Sequence, residues 1–342
     1  MHSFKKVVIN SVIFTAIIAI ISLFISGWYF RSYDNSNYYV FEELERNEGT
    51  LDMLICGASQ GAMAFVPEII DEKLGVNSFN LSTQGGPLTS RLDMCMEYIE
   101  KNPVRTVVLD LSEDALAGYN KNGKTENIQV TQRLPVRSRI PFLVKHISFE
   151  HYFDTWNEIV KYGSYDIMKQ LLAMVFGGGE KIVPEKYLGK GFYSGYEGKL
   201  DFDSSSHLKN YQSLEMSMEF DEECIEKLNE FFDVCRTADI NVIVVTLPVM
   251  NSYSGQFSNM NDLNSYYKVL CENKGFQYIN FNLYKDKDEV FTDNSFFYDS
   301  IHLSEKGAYA FSDMFCNTML RLEKGQSAEE LFYGSFSQIF LQ

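Results

Sequence analysis

The stretch Leu51-Asp52-Met53-Leu54-Ile55-Cys56-Gly57-Ala58-Ser59-Gln60-Gly61 decides the fold of this chain. Its apolar first half has the composition of a buried strand, and the segment 62–74 that follows has the apolar spacing of a helix. Gly57 permits a sharp turn between the two, because glycine has no Cβ atom. Ser59 therefore stands at a strand-to-helix turn, where backbone N–H groups point towards a bound oxyanion.

The alternation of strands and helices continues along the chain. Further strands are predicted at 76–81, 106–111, 241–247 and 277–280, and further helices at 88–101, 222–237, 262–273 and 304–322. Strands that alternate with helices predict an α/β three-layer sandwich with a mostly parallel, flavodoxin-like sheet. In such sheets ligands bind beyond the carboxyl ends of the strands, which is where Ser59 is expected.

The segment 118–213 departs from this alternation. It has helical patterns at 149–162 and 165–176, three glycines at 177–179 and a loop rich in tyrosine and glycine at 186–203. We expect it to be an insertion that covers one side of the site. The predicted organisation is a cytoplasmic start and membrane anchor at 1–30, a linker at 31–50, the α/β domain at 51–323 and a C-terminal tail at 324–342.

The segment from Val7 to Phe30 carries no charged side chain. A helix of that length spans the hydrocarbon core of a bilayer, about 30 Å, with some tilt. Two lysines precede it and one arginine follows, so the positive-inside bias predicts a cytoplasmic N-terminus and an extracytoplasmic main domain at the cell membrane. The alternative is a cleaved signal peptide, whose apolar region of about 7–15 residues would end in small residues. Because the segment is longer and ends in Trp28-Tyr29-Phe30, we favour a single-pass transmembrane helix.

The composition narrows the classes of function. A net charge of −16 repels polyphosphate and argues against nucleic-acid binding, while 45% hydrophobic residues suffice for a sizeable core. The cysteines show no Cys-x-x-Cys pattern and no histidine partners at zinc spacing, so no metal site is expected. Their even number leaves disulfides open, Cys224–Cys235 among them, and nothing in the sequence selects a pair.

A second motif, Asp299-Ser300-Ile301-His302-Leu303, stands just before the last predicted helix. A turn of three residues lets the Asp299 carboxylate reach Nδ1 of His302, which leaves Nε2 to take the proton of the Ser59 hydroxyl. Each residue also has a simpler interpretation, as a helix cap or a turn former. Those simpler roles require independent coincidences, so we favour a Ser-His-Asp hydrolytic site.

The pattern Gly57-x-Ser59-x-Gly61 also matches the nucleophile elbow of the α/β-hydrolases. In that fold, however, the serine normally follows several strands, and the acid lies on a separate strand end. A serine after the first strand with an Asp-x-x-His before the last helix resembles the SGNH/GDSL hydrolase superfamily instead. The resemblance extends over most of 50–322, in short blocks only.

The blocks of the superfamily match this chain unevenly. The usual Gly-Asp-Ser stands here as Gly57-Ala58-Ser59, with alanine in place of the acid, and Asp-x-x-His is matched at 299–302. The glycine of the second block, an oxyanion donor in the family, corresponds to Gly85 or Gly86. The third block, Gly-x-Asn-Asp, is absent, and Asp-Leu-Ser-Glu-Asp stands at 110–114. The resemblance therefore points to a divergent branch that lacks the usual side-chain oxyanion donor.

A membrane anchor before an SGNH-like domain is similar to the D-alanyl-lipoteichoic acid biosynthesis protein and to alginate-type O-acetyltransferases. The resemblance implies an esterase or O-acyltransferase that acts on cell-envelope polysaccharide or teichoic acid through an acyl-serine, without a metal or organic cofactor. It assigns Ser59 as nucleophile, His302 as base and then acid, Asp299 as the residue that orients the histidine, and the N–H groups of Ser59 and Gly85 or Gly86 as the oxyanion hole. The alternative is a non-catalytic accessory protein for a membrane-bound O-acyltransferase.

Overall fold

Five parallel strands form the centre of the molecule. The computed structural model describes residues 2–29, 36–118, 124–161, 168, 186–193, 197 and 213–340. The strands of the central sheet are β1 (Met53–Cys56), β2 (Ser78–Asn80), β3 (Thr106–Asp110), β6 (Asn241–Thr246) and β7 (Gln277–Asn280). They lie in the sheet in the order β2-β1-β3-β6-β7. A separate antiparallel pair consists of β4 (Tyr187–Gly189) and β5 (Phe192–Tyr193).

Every neighbouring pair in the central sheet is parallel. The carboxyl ends of its strands therefore meet at one edge, and the strand order is the flavodoxin-like one. The predicted α/β sandwich with a parallel sheet is confirmed. All five predicted strands of this sheet are present, within two residues of their expected bounds.

Helices cover both faces of the sheet. The longer ones are α1 (His2–Tyr29), α2 (Ser36–Arg46), α3 (Ser59–Ala64), α4 (Pro67–Leu74), α5 (Leu88–Ile99), α6 (Lys124–Gln132), α7 (Val136–His146), α8 (Glu222–Thr237), α9 (Met260–Glu272) and α10 (Glu305–Glu323). Short helical turns lie at Phe149–His151, Asn251–Ser254, Phe281–Leu283, Lys287–Val290, Asn294–Phe296, Ala328–Leu331 and Ser337–Phe340, and the segment 152–161 is also helical.

The alternation of side chains along each strand divides the core in two. Leu54 and Val107 contribute to one cluster, together with Phe231 of α8. The next residues along the strands, Ile55 and Val108, contribute to the other cluster. Because successive side chains of a strand point to opposite faces, the continuous apolar runs in the sequence bury both faces of the sheet.

One predicted helix is divided in two. The segment 62–74 was expected to be a single helix after Ser59, but α3 ends at Ala64 and α4 begins at Pro67. Proline has no N–H to donate and disfavours the helical conformation at the residue before it. Phe65 and Val66 are accordingly extended, and proline occupies the first turn of α4.

The packed region extends beyond the predicted domain at both ends. The predicted linker, 31–50, contains α2, whose Val40 and Leu44 are fully buried in the core. In the predicted tail, Leu331 and Phe336 are also buried.

The described part of the predicted insertion contains α6, α7 and the β4–β5 hairpin. The hairpin lies against the end of β2, where the N–H of Asn80 donates to the carbonyl of Lys190 at 2.9 Å. Asn80 in turn donates from its side chain to the carbonyl of Gly61 in α3 at 3.0 Å. Part of the insertion is thus adjacent to the nucleophile helix, whereas the predicted helix at 165–176 lies outside the described residues, apart from 168.

The helix α1 covers nearly all of the predicted membrane anchor, and its side chains are described at 5–18, 20 and 21. A search confined to the described residues found no helix long and apolar enough to cross a membrane. Membrane anchoring stays a prediction.

Candidate active site

The turn between β1 and α3 is formed by glycines that two neighbouring side chains approach closely. A Cβ atom on Gly57 would lie 2.8 Å from Oδ2 of Asp110 and 3.0 Å from Oγ of Ser82. A Cβ atom on Gly61 would lie 2.7 Å from the same Ser82 oxygen. A larger residue at either position would displace the turn. The packing beneath the turn therefore accounts for the two glycines of Gly-x-Ser-x-Gly. Ser59 between them is partly exposed.

The structure brings the three residues of the predicted triad together. Oγ of Ser59 lies 2.8 Å from Nε2 of His302. On the other side of the ring, Nδ1 of His302 lies 2.8 Å from Oδ2 of Asp299 and 3.0 Å from Oδ1. The side chains of His302 and Asp299 are 17% and 32% exposed. This is the order of hydrogen bonds in which a histidine can take the serine proton while a carboxylate holds its tautomer.

Backbone hydrogen bonds fix Asp299 beneath the histidine. Its Oδ1 accepts from the N–H groups of Ile301, at 2.9 Å, and His302, at 2.8 Å. Burial alone would raise the pKa of Asp299. The hydrogen bonds from the Ile301 N–H and the His302 side chain outweigh that effect, so the pKa of Asp299 lies below its usual value. The carboxylate is therefore charged at neutral pH and can stabilise a protonated imidazole.

The loop that carries His302 is tied to two other elements. Ser304 caps α10, because its Oγ accepts from the N–H of Gly307 at 3.2 Å. The N–H of Met250, which follows β6, donates to the carbonyl of Ser300 at 3.0 Å. The position of the histidine thus depends on contacts with two separate parts of the fold.

A buried carboxylate lies directly under the nucleophile turn. Asp110, the last residue of β3, is 1% exposed, and its Oδ2 accepts from the N–H of Gly61 at 3.1 Å. Burial raises the pKa of Asp110 to about 6, although Arg91 and the N–H groups of Ala58 and Gly61 oppose the shift. Asp110 thus connects the end of β3 to the turn that presents Ser59.

A pocket of about 250 Å³ opens beside Ser59. It is lined by Ala58, Ser59, Gln60, Gly85, Gly86, Leu88, Arg91, Ser112, Asp114, Ala115 and Ile301. Both glycines predicted as oxyanion donors thus lie at this pocket. A larger groove, of about 460 Å³, lies along β7 and the C-terminal segment, and none of the triad residues lines it.

Two backbone N–H groups beside the pocket are available for the predicted oxyanion hole. Within the described part of the chain, the N–H groups of Ser59 and Gly86 donate to no other atom. Gly85 has a φ of 70°, the left-handed conformation that glycine adopts without strain. Two N–H groups beside the nucleophile are the arrangement that stabilises a tetrahedral oxyanion.

Ser112 and Asp114 lie where the superfamily has its Gly-x-Asn-Asp block. Oγ of Ser112 donates to Oδ1 of Asp114 at 3.1 Å, and both residues line the pocket. Neither carries the side-chain amide that usually serves as an oxyanion donor. The positions 112 and 114 therefore supply no side-chain amide to the pocket, whereas Gln60, which also lines it, carries one.

The sequence analysis did not identify two residues of this site, Asp110 and Arg91. Asp110 is the one acid within the otherwise apolar run of β3, and an acid in a buried strand was the available signal. Arg91 follows the second-block glycines by a single turn of α5, and nothing in the sequence distinguishes it from a surface arginine.

The cysteines and the acidic residues form neither a disulfide nor a metal-binding cluster among the described residues. All six cysteines are buried and none forms a disulfide, so the structure does not form the Cys224–Cys235 pair that the sequence left open. Among the described residues, no cluster of three or more His, Cys, Asp or Glu side chains has a geometry that could hold a metal ion.

Comparison with known proteins finds distant similarity to solved structures. No family model matches the chain, and no curated protein matches it. A presumptive acylhydrolase from Bacteroides fragilis superposes with a TM-score of 0.37 and 9% identity, over 82% of this chain and 95% of that one. A presumptive platelet activating factor from Streptococcus pneumoniae superposes with a TM-score of 0.36 and 11% identity, over 88% of this chain and 99% of that one. No activity is carried over from either protein.

Proposed function

We propose that this protein is an esterase-type serine hydrolase or O-acyltransferase that works through an acyl-serine intermediate. The observation that carries the proposal is the continuous hydrogen-bonded series of Ser59, His302 and Asp299, with both critical contacts at 2.8 Å. The series lies at the carboxyl edge of a parallel sheet, beside a pocket with two backbone N–H donors. Geometry and placement together favour acyl chemistry.

In the first half of the reaction, Ser59 Oγ attacks the carbonyl carbon of an ester while its proton passes to Nε2 of His302. The carbonyl oxygen becomes an oxyanion that accepts from the N–H groups of Ser59 and Gly86. Collapse of the tetrahedral intermediate breaks the bond to the alcohol oxygen, which takes the proton from His302. The charged Asp299 stabilises the imidazolium in between.

The second half of the reaction uses the same groups in reverse. His302 takes a proton from a water molecule or from a sugar hydroxyl, whose oxygen attacks the acyl-serine. Water gives hydrolysis and regenerates Ser59 Oγ–H with a free acid. A polymer hydroxyl gives acyl transfer, so the partition between the two depends on which acceptor reaches the acyl-serine first.

We further propose that the substrate is the acylated polysaccharide or teichoic acid of the cell envelope, and that the chain is anchored in the membrane through 7–30. The supporting observations are the uncharged apolar segment and the exposure of its described apolar side chains, such as Ile13 and Phe14. The resemblance of the motif order to anchored SGNH proteins adds to this proposal. A membrane-bound O-acyltransferase would be a natural partner for such an anchored domain.

The test is covalent labelling of the full-length chain with a serine-directed fluorophosphonate, together with turnover of a chromogenic acetyl ester. Ser59→Ala and His302→Ala serve as the variants, and Ser82→Ala, a buried serine beside the turn, serves as the matched serine control. We expect labelling at Ser59 alone and loss of turnover in both triad variants. Labelling at another residue, or turnover that survives Ser59→Ala, would overturn the proposal.

A non-catalytic accessory role is the second candidate. It is favoured by the residues at 112 and 114, because Ser112 and Asp114 bond to each other and neither carries the amide that the superfamily has there. In that case the domain would bind acylated polymer and dock onto a membrane O-acyltransferase. A correctly folded wild-type chain with neither labelling nor turnover, which still binds the polymer, would support this second role.

A further inference from the structure

A buried arginine lines the same pocket as the nucleophile. Arg91 lies in the first turn of α5, is 3% exposed, and donates from Nε to the carbonyl of Gly86 at 2.7 Å. Its Nη1 is sealed from solvent and has no hydrogen-bond partner within the described residues. A buried guanidinium nitrogen without an acceptor is unusual in a folded protein, because nearly all buried polar groups are paired.

The acids nearest to Arg91 do not satisfy this nitrogen. Asp110 interacts with Arg91 through space, but its Oδ2 accepts from Gly61 and its Oδ1 is itself unpaired. Asp114 is exposed at the edge of the pocket, where it accepts from Ser112. The Asp110 carboxylate offsets the charge of the guanidinium, and the hydrogen-bonding capacity of Nη1 remains for a ligand.

The position of the triad shows which part of a substrate this pocket would hold. Ser59, Gly85 and Gly86 line the pocket, whereas His302 and Asp299 do not. The leaving alcohol must lie beside His302, since the histidine protonates it. The pocket is therefore on the acyl side of the reacting carbonyl, and about 250 Å³ accommodates a short chain only.

We infer that the acyl group carried by Ser59 ends in a carboxylate, which accepts hydrogen bonds from Arg91. The inference rests on the proposed function, because it names the substrate class of that same site. A half-ester of a short dicarboxylic acid, with a succinyl group as the simplest example, has both the required size and the required charge. Charge-assisted hydrogen bonds to a guanidinium are strong and directional, so they discriminate against acyl groups that lack the carboxylate.

The test compares three methyl esters with acyl groups of similar length and different charge: methyl hydrogen succinate, methyl butyrate and β-alanine methyl ester. The full-length chain is assayed by the release of free acid. We expect kcat/KM for the succinate ester to exceed that for the butyrate ester by about 10- to 100-fold, the usual effect of a hydrogen bond to a charged group. Arg91→Gln should reduce this ratio to near one.

Arg105→Gln is the matched control for the arginine. Arg105 is exposed at the opposite end of β3 and outside the pocket, so its removal takes one positive charge from the chain without touching the site. The succinate preference should survive in this variant. Equal turnover of the succinate and butyrate esters by the wild-type chain would overturn the inference and leave the proposed function intact, as would a preference for the cationic β-alanine ester, attracted by Asp114.

A binding measurement separates this inference from catalysis. Isothermal titration of Ser59→Ala with methyl hydrogen succinate and with methyl butyrate should give binding of the succinate ester only, and adding Arg91→Gln should abolish it. Succinate binding in a wild-type chain that turns over no ester would retain the anion site and overturn the hydrolytic proposal alone. Absence of both succinate binding and ester preference would overturn the inference even if Arg91→Gln does not fold.

Discussion

At the scale of single residues, Asp299 combines two tasks that a substitution can separate. One oxygen accepts two backbone N–H groups, while the carboxylate as a whole faces Nδ1 of His302. Asparagine retains an acceptor for the backbone, but it has no charge to stabilise the imidazolium and favours the wrong tautomer. We expect Asp299→Asn to lower kcat by roughly 10³- to 10⁴-fold with little change in KM.

Steady-state kinetics on a short-chain ester would measure this effect, with thermal unfolding as the control for folding. A loss of kcat below tenfold in a folded Asp299→Asn variant would show that the histidine does not need the acid.

Because the pKa of Asp110 is raised, its contribution to the free energy of unfolding should decrease as pH rises. An acid in a salt bridge, whose pKa is lowered, would show the opposite trend. Burial raises its pKa to about 6 from the ordinary value of 3.8. Between these two values the folded chain binds more protons than the unfolded chain, so stability falls as pH rises through that window. A shift of about two units corresponds to about 3 kcal/mol, which Asp110→Asn should remove.

Chemical denaturation at pH 4 and at pH 8 would measure this difference between the variant and the wild type. Glu113, whose pKa burial raises to about 7, contributes a slope of the same sign. The charge of Asp110 adds to that upward shift, so Asp110→Asn should reduce the Glu113 contribution as well. Parallel pH profiles for the two proteins would contradict the prediction.

Residue order alone predicted that Ser59, Asp299 and His302 would meet, because a parallel sheet places the ends of distant strands at one edge. The choice between Gly85 and Gly86 could not be made in advance, since it depends on where each N–H points. Asp110 and Arg91 were missed for a related reason. Their importance lies in burial without full pairing, and burial of a charged residue cannot be read from its identity.

At the scale of elements, the contact between α10 and the loop before it controls the position of His302. A Cβ atom on Gly307 would lie only 1.9 Å from the carbonyl oxygen of Phe296. Since that oxygen belongs to the backbone, the helix or the loop must move. We expect Gly307→Ala to cost at least about 2 kcal/mol of stability and to lower ester turnover in the fraction that folds.

Gly334→Ala is the matched control, because a Cβ atom there would meet only the end of Gln338 at an ordinary 3.5 Å. Urea denaturation and turnover of both variants would measure the two effects. A Gly307→Ala protein with wild-type stability would show that the loop is free to adjust.

Helices and strands were predicted correctly where their apolar residues form a continuous run or a regular spacing. The strands and α8 were found because their apolar residues are continuous or periodic. Helix α6 was missed, since it buries the polar side chains of Asn127, Thr131 and Gln132 and therefore shows no apolar stripe. The division between α3 and α4 was overlooked although Pro67 marks it in the sequence.

At the scale of the whole molecule, the proposed membrane orientation gives a prediction that does not depend on catalysis. Alkaline phosphatase fused to the C-terminus should be active, because that enzyme matures only outside the cytoplasm, and a green fluorescent protein fusion should be dark. Deletion of 2–30 should reverse both results. A bright fusion of the full-length chain would place the main domain in the cytoplasm.

The distance along the chain between the reacting groups has a consequence for biosynthesis. The hydrogen bond between Ser59 and His302 joins residues 243 positions apart. A growing polypeptide holds its serine for most of its synthesis without the base that activates it, because the histidine emerges only after all five strands of the sheet. An unfinished chain, or one that terminates before His302, therefore has no base for Ser59 and should not carry out the proposed acyl chemistry.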